Sequence, residues 1–78
     1  MTSIRPGDPP MPEFDRITFD PDILGGKACI RGMRISVSLV VNLVANGMTA
    51  SQIVTEYPDL DEEDVAEALK YAARVANR

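Results

Sequence analysis

The chain has 78 residues, 45% of them hydrophobic and 26% charged, with a formal net charge of −4. A chain this short makes one domain and buries only about 60% of its unfolded surface, so its core is marginal and a homodimer is the expected supplement. One cysteine and no histidine argue against a disulfide framework and a structural zinc site, and the acidic balance argues against non-specific nucleic-acid binding.

Residues 1–13 hold four of the six prolines and no periodic apolar pattern, and they read as a flexible proline-rich arm. With no apolar run there, a secretory signal is not expected; with no stretch of ~18 apolar residues, neither is a membrane span. A cytoplasmic location is the expectation. The ordered domain is assigned to residues 14–78. Ile17-Thr18-Phe19 alternates as a half-buried strand does, and Pro21 stops it. Gly25-Gly26 offers the positive φ of a turn, Ala28-Cys29-Ile30 a second strand ended or bulged by Arg31-Gly32, and residues 34–37 a third short piece.

Three helices follow. Ser36 is the expected N-cap of the first, whose stripe is Val37, Val40, Val41 and Val44 and whose stop is Gly47. Thr49 to Gln52 has the spacing of a capping box for the second, which Pro58 ends at Tyr57. The third opens at Asp61 and runs to about Val75, with Val65, Leu69, Ala72 and Ala76 as its inward face and Ala68 beside them. The links are short, so successive helices should pack on one another. The expected class is mainly α: a three-helix, helix-turn-helix-like (winged or homeodomain-like) core preceded by a short β-hairpin.

Charge is unevenly placed. Lys27, Arg31 and Arg34 crowd the hairpin, whereas Glu56 to Glu67 holds seven acids and no base. Gly25-Gly26-Lys27 lacks the strand–loop–helix setting of a phosphate loop and reads as a turn. Cations on a hairpin can hold phosphates without reading sequence, which makes Lys27, Arg31 and Arg34 the candidate DNA contacts. The competing reading is a solvated hairpin, with Arg31 or Arg34 paired to Asp20 or Asp22. The third helix would be the recognition helix of a helix-turn-helix, but its first residues are Asp61, Glu62, Glu63 and Asp64, and four carboxylates repel a polyanion. They suit the helix dipole, and together with Glu67 they are the candidate contacts for a basic protein partner. Cys29 has no base nearby in sequence to activate it, and the carboxylates at 61–64 were expected on an exposed first turn with no pocket. No enzyme, cofactor or small-molecule substrate is expected.

The blocks Ile17-Thr18-Phe19-Asp20-Pro21, Gly25-Gly26-Lys27, Ile30-Arg31-Gly32, Arg34-Ile35, Gly47-Met48-Thr49 and Tyr57-Pro58-Asp59-Leu60, followed by Val65, Ala68, Leu69 and Tyr71-Ala72-Ala73, resemble the DUF433 family. The resemblance covers residues 15–74. It departs from the family's usual pattern at Ala28-Cys29, Met33 and Ser36, where the family tends to have Pro, Thr and Pro. It implies a hairpin-plus-three-helix fold and a role as a bacterial type II antitoxin. Such a protein would be a dimer that neutralises a PIN-like ribonuclease toxin, with the operator DNA of its own operon as a further partner.

Overall fold

The computed structural model describes residues 14–77; the arm expected over residues 1–13 lies outside them. Strands β1 (Ile17–Thr18) and β2 (Cys29–Ile30) pair antiparallel, with Ile17 opposite Ile30 and Thr18 opposite Cys29. Between them Leu24–Gly26 forms a 3-10 turn in which φ is 68° at Gly25 and 87° at Gly26, the left-handed region expected of that pair. Phe19 falls outside β1 and is 40% exposed. Beyond β2 the chain reverses through Arg31-Gly32 and returns as a single bridge between Cys29 and Ser36, so the expected third piece is one residue pair long.

Helices α1 (Val37–Ala45), α2 (Ala50–Glu56) and α3 (Glu62–Ala76) follow. Each start has a chemical cause. The Ser36 hydroxyl accepts from the Leu39 N–H at 3.0 Å. Thr49 and Gln52 close a reciprocal box, with the Gln52 N–H donating to Thr49 Oγ1 at 3.1 Å and the Thr49 N–H to Gln52 Oε1 at 2.8 Å. Helix α1 ends in a Schellman motif: Gly47 N–H donates to Val44 C=O at 2.9 Å and Met48 N–H to Leu43 C=O at 3.1 Å. Helix α2 stops one residue before the expected Tyr57, which is its C-cap.

The core joins the hairpin to all three helices through Phe14, Ile17, Ile30, Val37, Val40, Ile53, Leu60, Val65 and Ala68. Phe14 meets Tyr71 of α3 edge-on, ring centroids 5.6 Å apart, and the Arg74 guanidinium lies 5.5 Å from the Phe14 ring. The inward face of α3 differs from the expected one. Ala76 is exposed and Leu69 and Ala72 are half-buried, while the fully buried positions are Asp64, Val65 and Ala68. The helix is rotated so that its acidic first turn, and not its alanine-rich end, faces the hairpin. No helix among the described residues is long and apolar enough to cross a membrane.

Candidate functional site

The polar centre of the molecule lies where the hairpin meets the start of α3. Asp61 is the N-cap of α3, and Asp64 stands at the third helical position. The two close a capping box made of carboxylates: Asp64 N–H donates to Asp61 Oδ1 at 2.8 Å, and Asp61 N–H donates to Asp64 Oδ2 at 3.0 Å. The Asp64 side chain is wholly inaccessible to solvent. A buried carboxylate is tolerable only when paired and hydrogen-bonded, and two arginines from the hairpin do this.

Arg16 precedes β1 and is fixed there because Phe14, two residues earlier, is buried against α3. Its Nη1 donates to Asp64 Oδ1 at 2.7 Å and to Asp61 Oδ1 at 3.0 Å, and its Nη2 reaches Glu63 Oε2 at 3.2 Å. Its backbone N–H donates to Glu67 Oε2 at 2.7 Å. Arg31 comes from the turn after β2. Arg31 and Gly32 both have positive φ, 45° and 72°, and Met33 N–H donates to Ile30 C=O at 2.8 Å. Two central residues at positive φ characterise the hairpin turns that match strand twist, and a non-glycine there costs roughly 1 kcal/mol. From that backbone Arg31 Nε and Nη2 bind Asp64 as a fork, at 3.1 Å to Oδ1 and 2.8 Å to Oδ2, while Nη2 also donates to the Asp59 C=O at 2.7 Å.

Burial pushes the Asp64 pKa upward. The hydrogen bonds from Arg31, the Asp61 backbone and Arg16 outweigh it and bring the carboxyl down to about 2. The same bonds to Asp64 raise both guanidiniums above their ordinary value. All three groups are therefore charged at neutral pH, and none is poised to move a proton. The Cys29 thiol is buried and its pKa is raised, so it is held as a thiol and not as a nucleophilic thiolate.

The structure thus separates the residues that the sequence groups together. Of the three hairpin cations, Arg31 is turned onto Asp64, neither to Asp20 nor to Asp22. Lys27 is exposed at the rim of a groove between α1 and α3, and Arg34 is exposed in the turn beyond β2. Of the five acids, Asp64 is buried, which corrects the expectation that residues 61–64 form an exposed first turn; its position one turn before Ala68 puts it on the inward side. Asp61, Glu63 and Glu67 each hold Arg16 yet keep solvent access, with the Glu63 side chain 84% exposed, and Glu62 is exposed. Around the clamp, four carboxylates face two guanidiniums, so the surface stays acidic after every internal bond is made. Arg16 was not singled out from the sequence. The spacing Asp61-x-x-Asp64 was the available signal, because an N3 acid in a capping box is held close to the N-cap and needs a cation when it is buried.

Residues 17–72 match DUF433, a family described as proteins of unknown function. Over 56 residues, 72% of the chain, the sequence is 39% identical to an uncharacterized protein of Sinorhizobium fredii, y4eO, of which it spans 25%. The fold is similar to the crystal structure of a DUF433 member protein from Anabaena variabilis, with a TM-score of 0.72 and 32% identity over 77% of this chain and 59% of that one. The chain therefore spans less than two thirds of either relative. The matched range includes Arg31 and Asp64 and begins one residue after Arg16.

Proposed function

This chain belongs to the DUF433 family, and on that footing we propose that it is a non-catalytic protein-binding module of the antitoxin type, whose acidic face at the start of α3 docks on a basic partner surface. The partner class that fits is a PIN-like ribonuclease, whose RNA-binding groove must be basic to hold a polyanion. The observation that carries this reading is the acidity left over around the Arg16–Asp64–Arg31 clamp. Both guanidiniums are engaged, yet Asp61, Glu62 and Glu63 remain exposed on one helical turn. The clamp also fixes that turn against the hairpin, so the acids are presented on a rigid surface and little ordering is needed on binding.

Complementary charge of this kind sets association rate and salt dependence more than contact area does. Replacing Glu62 and Glu63 together by Lys should weaken binding to the co-purified partner at least about tenfold at low salt and flatten its salt dependence, as measured by titration calorimetry across a salt series. Unchanged affinity and salt slope would sink the reading.

A further inference from the structure

Between Arg34 and Glu56 the chain has no charged residue, although 26% of all its residues are charged. This stretch makes the end of the hairpin, α1 and α2, and within it only Val37, Val40 and Ile53 are buried. Val41, Leu43, Val44 and Met48 pack against the core but keep part of their surface in water. Along one flank, α1 and the second half of α3 border an open groove of about 600 Å³, walled by Val37, Val41, Tyr71, Ala72 and Val75. A helix that is apolar on nearly every side is ordinarily covered on every side, and this small domain covers α1 on one.

Charge selects the occupant. A strongly basic or acidic partner would strip water from its own charges against this face and find no counter-charge in return. A second copy of this chain brings the same uncharged face. Two acidic chains repel each other wherever the start of α3 is turned inward, and least where the charge-free surfaces meet. The size is also adequate: a standard interface takes about 20–30 residues from each side, and residues 35–55 together with the C-terminal half of α3 fall in that range. A two-fold contact requires one self-complementary patch, and an uncharged helix beside an apolar groove is such a patch.

We propose that α1 and the adjoining edge of α3 form the contact surface of a homodimer, with α1 of each copy seated in the α1–α3 groove of the other and the two-fold axis passing near Val41. This leaves the acidic turn of α3 facing outward on both copies. It is independent of what that turn binds, so the two readings fail separately.

The experiment is sedimentation velocity over a dilution series of the full chain, with Val41→Glu, Val41→Lys and their equimolar mixture. Wild type should be a dimer, each variant should raise the dissociation constant roughly 30-fold or more, and the mixture should recover a heterodimer through the new opposite charges. Should a Val41 variant lose its helical circular dichroism, Asn42→Glu and Asn42→Lys at the exposed neighbouring position give the same readout. A wild type that is monomeric throughout, variants that stay dimeric, or folded monomers that do not recombine would each overturn the proposal.

Discussion

Asp64 is an acid in a place where sequence habit expects an alanine or a valine. Its neighbours Val65 and Ala68 fill the core, and its own carboxylate is sealed beneath Arg16 and Arg31. Removing one partner of a buried pair costs more than the pair contributes, because the remaining charge stays desolvated. The sign of the pH effect follows from the folded pKa of about 2 against the ordinary 3.8. A lowered carboxyl pKa stabilises the fold above about pH 4, and that stabilisation fades as pH falls towards 2. The shift corresponds to about 2 kcal/mol. Asp64→Asn should lose about that much stability at neutral pH, and the gap from wild type should close near pH 2, as checked by urea unfolding of both proteins at several pH values. A gap that does not change with pH would show that Asp64 acts by shape and not by charge.

Helix ends explain why the elements fall where they do. Ser36, Thr49 and Asp61 each accept from an N–H in the first turn of the helix they precede, and Pro58 follows directly after the residue that caps α2. Gly47 closes α1 with φ at 95°, a conformation that an L side chain adopts only under strain, even though a Cβ there would meet no atom within 4 Å. Gly47→Ala should therefore destabilise the domain by roughly 1–2 kcal/mol through backbone strain alone, measured as a lower urea midpoint with an unchanged slope. These boundaries were legible because caps are local: the cap residue and the N–H it accepts lie within three positions of each other. The strands were legible only as apolar alternation, and they proved shorter than expected because two residues on each side are all that the hairpin pairs.

On the scale of the whole molecule, the fold redistributes the charges. The cations that cluster in sequence around the hairpin part company, since Arg31 is spent on α3 and only Lys27 and Arg34 of the three stay exposed. Operator binding, the second activity that the family resemblance implies, would then rest on those two side chains and on the basic second half of α3. Phosphate contacts of this kind release counterions and weaken steeply with salt. In a gel shift on the chain's own upstream DNA at low salt with the partner present, Lys27→Glu with Arg34→Glu should abolish any retardation, whereas Arg31→Gln should alter the melting temperature first. Retardation that survives the double reversal would remove the hairpin from the interface.

The sequence by itself determined the order of elements, a hairpin and then three helices, together with their caps and the separation of an acidic stretch from a basic one. All of these depend on residues within a few positions of one another. What only the tertiary structure decided is the rotation of α3 about its axis and the use of Arg16 and Arg31. The partners of Asp64 lie 48 and 33 residues away along the chain. No local rule places two guanidiniums over one carboxylate at that range. Packing does, because burying Phe14, Ile17 and Ile30 against Val65 and Ala68 carries both arginines to the first turn of α3, where a desolvated charge must find its counter-charge.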